Sequence, residues 1–519
     1  MPNVNILIKF RDFFWNYPEN IKKYSPISYI ILSIIIVIFL LALFFKYNFL
    51  SLKPFSNNTY TEGVVSNSTY YNPYSSGKNI TFVKDVNSLI FSHLVYIQSN
   101  GYVQPIVAKS WKIENSSTKY VFTLKHNFLF QNGNPVNAYD VYYSFNFNKK
   151  YFPTTASSNI TAKVLSKYKI EFLLKNLDVK FFEDINFNIV PSGTNYINNT
   201  SNIIGSGAYK LDYLTNTEAI FSRFNNYYFG TPHFNHFILK TFKNYHDVLS
   251  SIEKDNIDGA YFPNYININT NQFPNLTVYQ KPLGNYYTGI FFNLNKITNL
   301  SFRNALSYSV SRRYITETLL SNTASPMYTP IPSSSWEYSN LSNINSYHFN
   351  PKKAANLLNG AQYSINVYYL NTIPISVINY VKKSWENIGV SSTFIPENNI
   401  EISHLVLKGN YDAILTSIKS SINSNNISLW YSKSKTNISK LSNNQINQLL
   451  LVGISTINEK NRKETYAIFE KDVQAIDPAV FLYSDNFMYI ANNNIKGINF
   501  SNISYPHQRF YFVYNWFLS

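Results

Sequence analysis

Imidazoles are the first groups in this 519-residue chain whose spacing invites chemistry. His233 and His236 stand in His-Phe-Asn-His, with His246 following, and neutral imidazole is the commonest transition-metal ligand. Phe234 and Phe237 beside them make the stretch read as extended, and residues three apart on a strand point to opposite faces. A metal centre is therefore not expected there. His93 follows Val86, Leu89 and Ile90 at helical spacing and reads as a core histidine satisfied by a hydrogen bond. Nucleophilic and hydrolytic chemistry has no better footing. The chain has no Gly-x-Ser-x-Gly elbow, no His-Glu-x-x-His and no phosphate loop. Its 28 Asp and Glu form no clear catalytic pair, and Gly205-x-Gly207 follows no convincing Rossmann strand. Cysteine is absent, which excludes disulfides, thiolate metal sites, a cysteine nucleophile and a lipidated cysteine anchor. We expect a non-enzyme with no catalytic residue, no metal ligand and no cofactor.

A chain of this length buries a large core and should hold two or three domains. With 45% hydrophobic and 14% charged residues, little disorder is expected. The net charge of +16 raises the question of nucleic acid. No long Lys/Arg run and no nucleic-acid motif accompanies it, so no nucleic-acid partner is expected; a diffuse positive surface suits adhesion to anionic lipid. The 44 Tyr and 40 Phe, alongside abundant Asn, Ile and Lys, read as compositional drift rather than a stacking surface.

Ile27–Phe45 (ISYIILSIIIVIFLLALFF) carries no charge. As a helix it would span roughly 28 Å, close to a bilayer's hydrocarbon thickness. Lys9, Arg11, Lys22 and Lys23 precede it and favour a cytoplasmic N-terminus; Lys46 and Lys53 weaken that asymmetry without reversing it. Leu43, Phe44, Phe45 and Lys46 offer no small-x-small cleavage site, so an uncleaved anchor is expected. The prediction is a cytoplasmic segment 1–26, a transmembrane anchor 27–45, a linker 46–58 and an extracytoplasmic remainder. Triplets such as Asn67-Ser68-Thr69 arise by chance in so Asn-rich a chain.

Beyond the linker, Thr59–Pro73 reads as an extended strand leading to an Asn-Pro corner, and Asp85–Leu94 as a short helix. Val95–Ile97 and a Ser99-Asn100-Gly101 turn follow. The best-formed local unit is Tyr102–Phe147. Tyr120–Lys125 alternates Tyr, Phe and Leu against Val, Thr and Lys, the period of a half-buried strand. Asn132-Gly133 supplies a turn. Asn137 is an N-cap, with Asp140 at N3 facing unpaired amides and Val141 and Phe145 on one helical face.

Gly101, Pro105, Ala108, Ser110 and Trp111, then Phe122, Thr123, Leu124 and Lys125, then Phe130, Gly133 and Pro135, then Ala138, Asp140, Val141, Tyr143 and Ser144 occur in that order. This run resembles the family-5 extracellular solute-binding proteins, the oligopeptide-binding class of ABC importers. The likeness continues through Gly205–Leu211, Phe224–Pro232, Ile252–Ala260 (with Asn256 where Gly is usual), Arg303, Ala305, Leu306 and Arg312, Phe349–Gly360, Trp385, Ile388 and Gly389, and Arg462–Tyr483.

The resemblance implies a bilobal α/β receptor, periplasmic-binding-protein-like of type II with the large three-domain peptide-binder architecture, preceded by the transmembrane helix. Lobe I would comprise 59–91, 203–285 and 484–519, with a β-rich insertion at 92–202; lobe II would be 286–483. Ligand would lie in the interlobe cleft and be passed to permease subunits. In peptide binders, strands of both lobes hold the ligand's backbone, a form of β-addition. By position, Ser66 and Ser68 would supply the first such segment, Tyr286 and Thr288 the second, and Ser417, Ile418, Lys419 and Ser421 the third. The family usually carries Gly-Trp, then an Asp for the peptide's α-amino group, in the third. Here Ser417-Ile418 and Ser421 occupy those positions, so a charged amino terminus would lack its usual partner. Ser311 replaces the Asp before Arg312, which reads as a packing change. The resemblance leaves two alternatives to peptide import: a receptor for a non-peptide solute such as a nickel complex, and a ligand sensor for a membrane partner.

Overall fold

The computed structural model describes residues 58–519 apart from 75–79, 116, 152–157, 177, 179, 197–201, 264–273, 340–346, 420–426, 457 and 502. Ile27–Phe45 lies outside the described residues; among those described, no helix is long and apolar enough to cross a membrane.

Fourteen strands carry the architecture: β1 (Thr59–Val65), β2 (Ala108–Glu114), β3 (Lys119–Leu124), β4 (Ile160–Ser166), β5 (Lys169–Leu174), β6 (Tyr209–Leu214), β7 (Glu218–Arg223), β8 (His236–Phe242), β9 (Gly259–Phe262), β10 (Leu276–Phe292), β11 (Tyr363–Leu370), β12 (Val390–Glu397), β13 (Ala413–Lys419) and β14 (Ala479–Asn492). The main sheet runs β12-β11-β13-β10-β14-β9-β1-β8-β7-β6. Pairing is parallel at β12-β11, β11-β13, β9-β1 and β1-β8, and antiparallel elsewhere along this path. A separate sheet, β2-β3-β5-β4, is antiparallel throughout.

The long strands β10 and β14 join two halves of the main sheet. One stretch of β10 pairs Leu276–Pro282 with Asn492–Asn486 of β14; after a register shift, Tyr287–Phe291 pairs with Ser484–Ala479. Each half has its own core. Tyr60, Phe234, Phe237, Tyr489 and Trp516 pack in the first. In the second, Phe292, Leu306 and Trp385 cover one face of the sheet, and Phe291, Trp430 and Phe469 the other. Phe122, Phe128, Phe172 and Phe181 form a third core within the segment containing β2–β5. This is the bilobal α/β arrangement expected from the resemblance.

Local chemistry explains the elements. On β3, Tyr120, Phe122 and Leu124 are buried while Lys119, Val121 and Thr123 are partly exposed. Helix α2 (Ala138–Tyr151) starts as its sequence demands. Asn137 Oδ1 accepts from Tyr139 N at 2.8 Å, and Asp140 Oδ2 accepts from Asn137 N at 2.9 Å, a reciprocal cap. The Asn-rich composition serves the same purpose elsewhere: Asn244, Asn299, Asn350, Asn398, Asn443 and Asn458 each accept a backbone N–H at a helix start, each cap worth about 1 kcal/mol.

Two boundaries differ from expectation. The first strand ends at Val65, far short of Pro73, because Ser66 and Ser68 turn back onto their own loop. Helix α1 runs Ile80–Ile90 rather than Asp85–Leu94. Asp85 looks like a first-turn acid, but it is buried in mid-helix on an ion pair.

Candidate functional site

Between the two stretches of β10–β14 pairing lies an interruption, Leu283–Tyr286. Here β10 leaves one half of the sheet and enters the other. From the last residue of the interruption on, β10 pairs with β13: Tyr286 opposite Lys419, Tyr287 opposite Ile418, Thr288 opposite Ser417. Paired residues share a face and successive ones alternate, so Tyr286, Thr288, Ser417 and Lys419 line one side. Thr288 is fully buried, its hydroxyl 2.8 Å from that of Ser417. Ile418 shares the other face with Tyr287 and packs into the second-half core.

The segments expected to bind ligand are thus partly brought together. Tyr286, Thr288, Ser417 and Lys419 form one contiguous patch. Ser66 and Ser68 stand at the end of β1, which β14 and β9 separate from β10. There Ser66 N donates to the Phe242 carbonyl at 3.0 Å, Ser66 Oγ to the Ser68 carbonyl at 2.7 Å, and Tyr70 N to Ser68 Oγ at 2.9 Å. Ser421 lies outside the described residues.

Facing the Tyr286–Lys419 patch is the C-terminal 3₁₀ turn, Pro506–Phe510, which the sequence did not single out. Tyr505 meets Tyr286 edge to face at 6.4 Å between ring centroids and stacks on His507 at 5.7 Å. Lys419 Nζ sits 4.7 Å from the Tyr505 centroid and 5.5 Å from that of Tyr286, within cation–π range. Part of the Lys419 side chain reaches solvent, but its ammonium is crowded by protein and by Lys84 of α1, which lowers its pKa to about 8. Burial, with Lys84 and Lys419 nearby, holds His507 well below the usual imidazole range. Burial also raises the Tyr286 and Tyr505 hydroxyls above the ordinary phenol range, and Tyr505 bonds Asn285.

What fixes this turn is a buried ionic cluster. Arg509 Nη1 and Nη2 each lie 2.8 Å from Asp85 of α1, and Nε lies 2.7 Å from Glu62 of β1. All three side chains are essentially inaccessible. The Tyr489 hydroxyl donates to Glu62 Oε2 and bonds the Tyr60 hydroxyl. Bidentate geometry and shared acceptors make this a rigid clamp. Pro506 at the turn's start and Gln508, whose Oε1 accepts from Ser504 N at 2.7 Å and Tyr505 N at 3.0 Å, were the only local signals available.

At the interruption itself, Asn285 is buried. Asp485 opposite is pushed up to about 7 by burial and acts on Tyr261, Tyr286 and Tyr483. Lys281 Nζ reaches from β10 to Ser99 Oγ at 2.8 Å and to the Ile503 carbonyl at 3.3 Å, tying the strand to the 98–101 turn and the C-terminal segment.

His233, His236 and His246 belong to other elements. His233 precedes β8, His236 begins it, and His246 sits in a helix, Tyr245–Glu253. Among the described residues, no three His, Asp or Glu gather closely enough to hold a metal ion. His93 is buried, with Nδ1 2.9 Å from the Phe187 carbonyl; burial lowers its pKa to about 4. Arg303 donates to the carbonyls of Ile297, Thr298, Ile476 and Asp477. Arg312 serves those of Ser307, Val310, Tyr347 and Phe481. Both knit the second half together. Ser311 accepts from Tyr314 N at 3.2 Å through its hydroxyl.

Residues 102–440 match the family described as bacterial extracellular solute-binding proteins, family 5 Middle. The nickel-binding periplasmic protein of Escherichia coli K12 is 25% identical over 317 residues, covering 57% of this chain and 59% of that protein. The chain thus spans under two thirds of that relative's length. A probable D,D-dipeptide-binding periplasmic protein of the same organism, DdpA, is 22% identical over 446 residues, 77% of this chain and 82% of that one. The oligopeptide-binding protein AppA of Bacillus subtilis, solved with a nonapeptide, superposes with a TM-score of 0.68 at 18% identity, covering 89% of this chain and 99% of AppA. With its fold and two-thirds of its length matched, the chain belongs to the family 5 bacterial extracellular solute-binding proteins.

Proposed function

We propose that this protein is the solute-binding subunit of an ABC importer, tethered to the membrane by Ile27–Phe45, that captures peptides between its lobes and delivers them to permease subunits. The observation that carries the reading is the interruption at Leu283–Tyr286, where β10 crosses between lobes and the Tyr286–Lys419 patch meets the Tyr505 turn. A surface contributed by two lobes and joined through crossing strands suits closure around a ligand. Names of similar proteins add support: one solved with a nonapeptide, one a probable dipeptide binder. The nineteen uncharged residues of the anchor, with basic residues before them, support a cytoplasmic N-terminus and an extracytoplasmic receptor. A nickel complex is the second reading, favoured by the name of one relative. Sensing for a membrane partner is the third; co-purification with a kinase or chemoreceptor rather than a permease would favour it.

Native mass spectrometry of the full chain in detergent tests the proposal. Mass shifts spread over many peptide-sized values are expected. A single small or metal-bearing adduct would overturn the peptide reading.

A further inference from the structure

Strand β13 ends in Lys419, at the edge of the Tyr286–Lys419 patch. Three elements converge on that lysine. β13 supplies it, β10 supplies the Tyr286 ring beneath it, and the C-terminal turn supplies Tyr505, with His507 stacked behind. Lys84 of α1 adds a second positive charge, and α1 packs on that turn through the Asp85–Arg509 pair.

The nearby acids are otherwise engaged. Asp85 and Glu62 are bound by Arg509. Glu183 acts on Tyr505 and Asp485 on Tyr286, while the field at Lys419 comes from Lys84. A cation held between two tyrosine faces beside another cation is half of an ion pair. Burying it under a closed lobe costs free energy unless an anion completes it.

We propose that Lys419, with Lys84 and the Tyr286 and Tyr505 rings, forms a subsite for a ligand carboxylate. The proposal rests on the peptide-capture reading for its most economical source, since a free carboxyl terminus is the one anion every unmodified peptide carries. A small non-peptide acid would present the same group.

The test presents the full chain in detergent with an equal mixture of free-acid short peptides and an isotopically marked, C-terminally amidated set of the same sequences. Bound species are read by native mass spectrometry. Wild type should enrich free acids roughly tenfold, the weight of one charge-assisted hydrogen bond. Lys419→Gln should bring the ratio to unity and Lys419→Arg should keep it; because Lys419 reaches solvent, both should melt with the wild type. Equal binding of acids and amides by wild type, or enrichment that survives Lys419→Gln, overturns the carboxylate subsite while leaving peptide capture standing. Failure to bind either set, with a co-purified non-peptide acid lost in Lys419→Gln, overturns peptide capture and keeps the subsite. A chain that binds neither set and carries no acid overturns both.

Discussion

Glu470, fully buried on the helix Glu459–Ile476, should be replaceable by glutamine with a gain in stability at neutral pH. Its Oε2 accepts from Ser339 N at 3.0 Å, and its Oε1 lies 2.8 Å from the Thr329 hydroxyl. That hydroxyl is also 2.7 Å from the Ile331 carbonyl. One hydroxyl proton serves only one of these oxygens, and the carbonyl has none to give. A protonated Glu470 resolves the chain: Glu470 donates to Thr329, Thr329 donates to Ile331. Burial agrees, pushing the carboxyl up to about 8 against the lowering effects of Ser339, Thr329 and Lys463. The folded value lies above the unfolded one near 4.5. The group's contribution is therefore fully present below that value and is lost as pH rises through about 8. At pH 7 the wild type has forgone up to about 3 kcal/mol, at roughly 1.4 kcal/mol per pH unit. Glutamine's amide can donate to Thr329 and its carbonyl can accept from Ser339, so Glu470→Gln keeps every bond and does not titrate. Urea unfolding of the full chain in detergent between pH 5 and 8 should show a falling wild-type midpoint and a flatter one for Glu470→Gln, the curves separating as pH rises. A variant destabilised equally at every pH would refute the protonated-acid argument.

Arg509→Met removes the cation from between Glu62 and Asp85 and should cost about 3–5 kcal/mol; adding Glu62→Gln and Asp85→Asn should recover much of it, which thermal melts would show. Gly205→Ala places a Cβ 2.0 Å from the Ile90 carbonyl oxygen, a backbone collision that should leave little folded protein in a solubility assay. Trp111→Ala removes a half-buried ring from Phe122 and Phe182 and should lower stability by roughly 2 kcal/mol. Gly133→Val puts a β-branched residue at φ +87° in otherwise open space, costing about 1–2 kcal/mol. Neither of these last two should alter the ligand profile in native mass spectrometry, because both lie in the segment containing β2–β5.

What the sequence made legible was whatever physics confines to a short window. The alternation of Tyr120, Phe122 and Leu124 is a property of six residues, and the Asn137–Asp140 cap of four. Boundaries failed where a distant partner decided them: Asp85 reads as a helix start until Arg509 is seen across the fold. The candidate site divides the same way. Tyr286 and Lys419 were reachable by matching motifs, and their pairing confirms only that they are neighbours. Tyr505 and His507 sit in a stretch with no periodicity, and only the Arg509 clamp brings them to Lys419. Ile418 was chosen with its neighbours, yet strand alternation turns it toward the core.

The clamp also bears on how such a chain reaches its native state in a cell. Glu62 and Arg509 are separated by 447 positions. While ribosomes work toward the C-terminus, β1 carries a carboxylate whose counterion has yet to be made, and a lone charge will not enter a dry core. Docking of β1 with α1 should therefore wait until synthesis is nearly done. A transcript cut short, or a chain clipped before residue 509, would leave that region open to proteases.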